Sequence, residues 1–266
     1  MKTFQLIFLS STLFAFGQAS FTDVTKESGI DNIYDVYQGL FGGGVVAFDF
    51  DNDGFEDLYI TGGKSQDVLY KNNGDGTFTD VIDESGLLKD RVVVTTGVSS
   101  ADVNKDGYID LLITTIASED KQTKKKKTLS PNLLFLNNGD GTFTDVSSKF
   151  GLTKNNFSTS SSFGDINADG YPDLFIGNYF KNFYFEDSPF GTHNIALLNH
   201  YSINEEYQTG DDELYINVDG KYFKDVSDLL VDAGKGYGFG GVFTDFDNDN
   251  DLDLFIMTDF GGTSES

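Results

Sequence analysis

The sequence predicts an all-β chain: a β-propeller of four-stranded antiparallel units, incomplete, with three full repeats and the start of a fourth. Three observations predict it. A nine-residue acidic pattern occurs four times, at 49–57 (DFDNDGFED), 102–110 (DVNKDGYID), 165–173 (DINADGYPD) and 245–253 (DFDNDNDLD). A hairpin signature follows three of them: NNGDGTFTDV at 72–81 and again at 137–146, and NVDGKYFKDV at 217–226. Between these landmarks, short runs of β-branched and aromatic residues alternate with polar ones, as half-buried antiparallel strands require. The first aspartates of the patterns lie 53, 63 and 80 residues apart, so a repeated core is stretched by insertions.

Taken in order, residues 1–19 read as an export signal. Lys2 gives a basic start, an apolar run extends from Phe4 to Phe16, and Gly17-Gln18-Ala19 sets small residues before Ser20. The repeat region is 20–266, with units at about 40–87, 95–152, 158–232 and 236–266. The first unit takes strands at 43–48, 58–60, 68–70 and 77–81. Asn-Gly and Asp-Gly turn its last two strands, because those positions need positive φ. The second unit takes strands at 96–101, 111–113, 133–135 and 142–146, with an insert at about 117–131 that carries Lys121 and Lys124–Lys127. The third takes 160–164, 174–176, 214–216 and 222–226, with an insert at about 178–212. The fourth begins at Phe239 and ends after Leu254-Phe255-Ile256. The tetrad Phe21-Thr22-Asp23-Val24 repeats the end of the hairpin signature, so it reads as a lone outer strand lent to the last unit. A chain that stops two strands into its fourth unit is expected to be a fragment of a longer protein; the alternative is a natural four-unit chain with an open edge, which would leave unpaired strand groups.

Composition narrows the function. The chain has 43 acidic and 18 basic residues, a formal charge of −25. Such a surface repels nucleic acid and anionic membrane, and no run after the signal is long enough to span a bilayer. There is no cysteine, so disulfides and thiolate metal sites are excluded.

The acidic pattern has the chemistry of a calcium loop. Calcium takes six to eight oxygens. A turn that gathers positions 1, 3, 5 and 9 supplies side-chain oxygens, and the carbonyl of position 7 adds another. Position 6 must bend sharply, which suits Gly54, Gly107 and Gly170; Asn250 tolerates the same conformation. An EF-hand would need a glutamate at position 12. That position holds Ile60, Ile113, Ile176 and Ile256.

The combination D-x-[DN]-x-D-G-x-x-D-L with NNGDGTFTDV resembles the calcium loops of FG-GAP and VCBS repeats, the integrin α-like type of propeller unit. The resemblance covers roughly residues 40–258. It is greatest to bacterial secreted proteins of the cartilage-acidic-protein type, which often carry a further C-terminal ASPIC/UnbV domain. The resemblance implies structural Ca2+, up to four ions, each held between the first and second strands of a unit. Carried over, the ligands are Asp49, Asp51, Asp53 and Asp57; Asp102, Asn104, Asp106 and Asp110; Asp165, Asn167, Asp169 and Asp173; and Asp245, Asp247, Asp249 and Asp253. The position-7 carbonyls belong to Phe55, Tyr108, Tyr171 and Asp251.

The expected function is a secreted calcium-binding propeller that serves as a binding, adhesion or scaffold module and is not itself an enzyme. The alternative is the propeller portion of an extracellular carbohydrate-active enzyme of the polysaccharide lyase or hydrolase type. The only histidines are His193 and His200, and no nucleophile elbow, zinc-binding helix or phosphate loop occurs. The third insert gathers Tyr179, Phe180, Phe183, Tyr184, Phe185 and Phe190 near Asp187, Glu205 and Glu206. Such aromatics either pack on one another and cover the top of the propeller or suit an extracellular protein or polysaccharide partner. The expected location is extracellular, at the cell surface or in the periplasm.

Overall fold

A computed structural model describes residues 20–35, 42–89, 93–118, 129–180, 209–230 and 236–259. The expected signal at 1–19 lies outside the described residues. So do Lys121, Lys124–Lys127, the stretch from Phe183 to Glu206 with both histidines, and 260–266.

The strands form where alternation and turn chemistry place them. The first sheet holds β1 (Val45–Phe48), β2 (Asp57–Ile60), β3 (Val68–Asn72) and β4 (Phe78–Asp80). A single helical turn, α1 (Ile82–Ser85), follows it. The second sheet holds β5 (Val93–Ala101), β6 (Asp110–Ser118), β7 (Leu133–Asn137) and β8 (Phe143–Asp145). The third holds β9 (Phe157–Gly164), β10 (Asp173–Phe180), β11 (Glu213–Val218) and β12 (Tyr222–Asp225). The fourth has β13 (Tyr237–Thr244) and β14 (Asp253–Asp259). Strands run in sequence order within every sheet, and all the neighbours pair antiparallel.

The propeller expectation is corrected. Among the described residues the sheets are separate and open, three of four strands and one of two, and none closes or curls on itself. They stack in series, β1 against β5, β5 against β9, and β9 with β10 against β13. Two features stand against a ring. Residues 21–24 form no strand, and Phe21 is 98% exposed. The outer face of the fourth sheet is also bare: Phe255 is 63% exposed, whereas its equivalents Tyr59, Leu112 and Phe175 are all 0%. In a closed ring another sheet would cover that face. The N-terminal segment instead lies along the first sheet, where the Phe78 amide donates to Ser28 O (2.8 Å) and Tyr70 donates its hydroxyl to Asp31 (3.0 Å).

Apolar residues from facing sheets fill the joints. Phe48, Tyr59 and Leu69 of the first sheet, with Phe50 of its acidic loop, meet Leu111, Ile113, Leu133 and Phe135 of the second. Leu112, Leu134 and Phe150 meet Leu174, Ile176 and Tyr215 in the next joint. Tyr179 and Phe180, expected on an insert, lie in β10. They are buried against Phe157 and Tyr237, so they belong to the core and not to a partner surface.

A buried polar residue ahead of each third strand ties the joints further. Asp67 accepts from the Gly62 amide (2.7 Å), Asn132 from the Thr115 amide (3.0 Å) and Asp212 from the Asn178 amide (2.8 Å). The following sheet contributes a hydroxyl to the first two: Thr95 donates to Asp67 (2.7 Å), and Asn132 donates to Ser158 (2.9 Å). At the third joint the equivalent residue is Gly238, where a Cβ would fall 2.0 Å from Asp212 Oδ1. Asp212 Oδ2 is buried there without a hydrogen-bond partner.

Candidate metal-binding loops

All four acidic patterns fall where expected, in the connections β1–β2, β5–β6, β9–β10 and β13–β14. Position 1 follows the first strand directly, and position 9 opens the second. Each loop turns on two left-handed residues rather than one. Position 6 is Gly54 (φ 90°), Gly107 (89°), Gly170 (86°) and Asn250 (74°). Position 4, which the sequence did not single out, is Asn52 (57°), Lys105 (60°), Ala168 (56°) and Asn248 (63°). Asparagine tolerates the conformation at Asn52 and Asn248, but Lys105 and Ala168 carry no such signal, so the types do not mark the position across the four loops.

The backbone amides of the loop then point at the carboxylates. Asp49 accepts from Asp53 N (3.0 Å) and Gly54 N (2.8 Å). Asp102, Asp165 and Asp245 repeat both bonds within 2.7 to 3.2 Å. The position-5 carboxylates Asp53, Asp106, Asp169 and Asp249 accept from the amides of Phe55, Tyr108, Tyr171 and Asp251 (2.8 to 3.1 Å). Asn104 and Asn167 accept at position 3 from Asp106 N (3.1 Å) and Asp169 N (2.9 Å). These bonds curl the side chains of the loop inward.

Position 9 is the anchor. Asp57, Asp110 and Asp173 are each fully buried. Asp57 accepts from Phe50 N (3.1 Å) in its own loop and from Asn72 N (2.7 Å) on β3. Asp110 does the same with Val103 N and Asn137 N (both 2.9 Å), and Asp173 with Ile166 N (3.0 Å) and Asn217 N (2.8 Å). Asp253 accepts from Phe246 N (3.2 Å). Burial raises the pKa of each of the first three, and the other loop carboxylates push the same way; Asp110 reaches about 7. A cation beside them would favour the ionised form.

Loops one and four bring three carboxylates together. Oxygens of Asp49, Asp51 and Asp57 lie within 4.8 Å of one another, as do those of Asp245, Asp247 and Asp253. Asp51 Oδ1 is buried with no hydrogen-bond partner. A bare carboxylate oxygen beside two other carboxylates fits a hard cation. Loops two and three replace the third carboxylate by the amide oxygens of Asn104 and Asn167. In loop one Asp53 turns instead to Lys71 on β3 (2.9 Å), whose ammonium also touches Asp51. The positions equivalent to Lys71 are Leu136 and Ile216. In loop four the neighbouring Asp249 raises the pKa of Asp251.

One functional residue per hairpin escaped the sequence reading. Asn72, Asn137 and Asn217 open the hairpin signatures and look like turn formers. Each does accept from the turn, through the amides of Gly74, Gly139 and Gly220 (2.9 to 3.0 Å). Their side-chain NH2 groups, however, donate to the position-8 carbonyls of Glu56 (2.9 Å), Ile109 (3.2 Å) and Pro172 (3.2 Å), clasping the acidic loop to the third strand. Their recurrence before a turn that glycine alone could make was the available signal.

No helix among the described residues is long and apolar enough to cross a membrane. A family model described as FG-GAP-like repeat matches residues 49–113 and 117–176. The chain is 26% identical over 239 residues to Cartilage acidic protein 1 of Xenopus tropicalis, an alignment covering 88% of this chain and 30% of that protein. The chain therefore spans under a third of the length of this relative. The segment holding the first three acidic loops is thus similar to FG-GAP-like repeats, in a chain similar over most of its length to Cartilage acidic protein 1.

Proposed function

We propose that the chain is an exported, calcium-stabilised repeat module that serves as a binding or adhesion scaffold, with calcium in a structural role. The observation that carries the reading is the convergence of Asp49, Asp51 and Asp57, and of Asp245, Asp247 and Asp253, with the partnerless Asp51 Oδ1 among them. The residues that would hold an ion are those at positions 1, 3, 5 and 9 of each loop, with the carbonyl of position 7. When bound, a divalent ion would supply countercharge to carboxylates that repel one another. The protein's own part is to orient them: amides at positions 5 and 6 fix position 1, and an amide of the loop fixes position 9, joined in loops one to three by an amide of the third strand. Export rests on residues 1–19, and a binding role on the repeats and their acidic surface. The activity and partners of any longer protein belong to the same proposal. The test is differential scanning calorimetry in calcium and in EDTA. Calcium should raise Tm, by an amount that grows with its concentration. An identical Tm in both would refute the reading.

A further inference from the structure

The loops are joined by a buried chain of hydrogen bonds, which bears on how they bind metal. Asp57 Oδ2 accepts from Phe50 N (3.1 Å). Phe50 O accepts from the side-chain NH2 of Asn137 (2.7 Å), and the Asn137 amide donates to Asp110 Oδ1 (2.9 Å). The pattern then repeats from Asp110. Its Oδ2 accepts from Val103 N (2.9 Å), Val103 O accepts from the side-chain NH2 of Asn217 (2.8 Å), and the Asn217 amide donates to Asp173 Oδ1 (2.8 Å). Asp57, Asp110, Asp173 and Asn217 are 0% exposed and Asn137 2%, so water does not compete for these bonds. Asp110 spends one oxygen on each side, which puts loop two at the centre.

We propose that metal binding is positively coupled between neighbouring loops, through Asn137 between loops one and two and Asn217 between loops two and three. The proposal rests on the calcium reading above and assigns Asn137 and Asn217 as positioning residues. Fixing the position-9 carboxylate of one loop fixes the position-2 residue whose amide it holds, Phe50 or Val103. That residue's carbonyl aligns the asparagine, and the asparagine's backbone amide holds the next position-9 carboxylate in place. A loop already ordered by its neighbour has less conformational freedom to lose when it binds, and linkage makes the effect reciprocal. Exposed contacts run parallel to the buried ones. Asn52 donates to Gly107 O in the next loop (3.2 Å), and Lys105 reaches over the Tyr171 ring (4.2 Å). Asn72 makes the same bonds within its own unit and has no preceding loop, which makes it an internal control.

The probe is terbium(III), a calcium stand-in whose luminescence is sensitised by tyrosine. Position 7 is tyrosine in loops two and three (Tyr108, Tyr171) and phenylalanine in loop one (Phe55), and the chain has no tryptophan. The signal therefore reports mainly the middle loops. The wild-type titration should be steeper than a single-site curve. Asn217→Asp should flatten it, uncoupling loop three and leaving only the coupling of loops one and two through Asn137. Asn72→Asp, with the same change of charge, should weaken loop one without flattening it. Removing a loop-one ligand, Asp53→Ala, leaves the buried chain intact and should shift the terbium midpoint of loops two and three at least about five-fold to weaker binding. That arm stands even if Asn217→Asp fails to fold. Terbium binding with a wild-type curve of independent sites, or an Asp53→Ala midpoint equal to the wild type, would overturn the coupling alone. Failure of both terbium and calcium to bind would overturn the calcium reading with it.

Discussion

Lys71 allows the cation reading of loop one to be tested by a change of sign. Its ammonium contacts Asp51 and Asp53, and those two carboxylates raise its pKa. Loop one has four side-chain carboxylates at its ligand positions, where loops two and three have three and an amide. The lysine thus brings the ligand side chains of loop one to the same formal charge as those of loops two and three. Lys71→Leu installs the residue type found at the equivalent Leu136. Without divalent metal the loop loses its countercharge. The contacts are partly exposed, with the lysine side chain at 34%, so the loss is small: a fall in Tm of roughly 1–3 °C. With calcium the effect reverses. Two unit charges about 4 Å apart in water interact by about 1 kcal/mol, and a divalent ion doubles that. Removing the lysine should therefore favour the ion by about 2 kcal/mol, roughly 20- to 30-fold in affinity at this loop. Isothermal titration resolves the affinity, and calorimetric scans in EDTA and in calcium resolve the two directions. A variant that binds calcium no tighter than the wild type, or whose Tm in EDTA does not fall, would refute the argument.

The remaining predictions concern the sheets and their joints. Burial, with Asp211 and Glu213 alongside, pushes the Asp212 carboxyl up to about 6 from the ordinary 3.8. The folded chain then holds a proton that the unfolded chain releases between these values. The cost of the anion is present in full above pH 6 and vanishes as the pH falls towards 3.8, an effect of at most about 3 kcal/mol. Asp212→Asn should therefore gain on the wild type at pH 7 and lose that advantage at pH 4.5 in urea unfolding; parallel behaviour at the two pH values would contradict the assignment. Asp67→Ala strands the buried donors of Tyr59, Thr95 and Gly62 and should cost about 3–6 kcal/mol in urea melts. Asp67→Asn, the residue type used at Asn132, should cost about 1 kcal/mol or less, and equal losses would sink the clamp. Phe175→Ala should cost about 3–5 kcal/mol, while Phe255→Ala at the equivalent exposed position should stay within about 0.5 kcal/mol. A large loss at Phe255 would mean that its face is covered in solution.

Much of the local structure was legible because it follows from residue type. The carboxylate spacing located all four strand-to-strand loops, and the need for a left-handed residue at position 6 extended correctly to Asn250. The arrangement of the sheets was not legible. Repeat period and strand number are the same for an open stack and a ring, and the difference lies in whether anything covers Phe255 and its neighbours. The reach of β10 was also missed, since Tyr179 and Phe180 look like loop aromatics until their packing on Phe157 and Tyr237 is seen. Lys71 left no trace because it occurs in one unit only. Asn137 and Asn217 were hidden by their obvious second role, since an asparagine at the start of Asn-Asn-Gly or Asn-Val-Asp-Gly is already explained by the turn.

The serial stack has a consequence for how the molecule comes apart. Among the described residues each interior sheet packs against two others, whereas the fourth packs along β9 and β10. In such a nearly one-dimensional array, stability is a sum of unit and neighbour contributions, and opening starts where neighbours are fewest. The β13–β14 ribbon is therefore the fraying end. Its amides should exchange with solvent first, those of the third sheet next, and those of β6 and β7, enclosed by both flanking sheets, last.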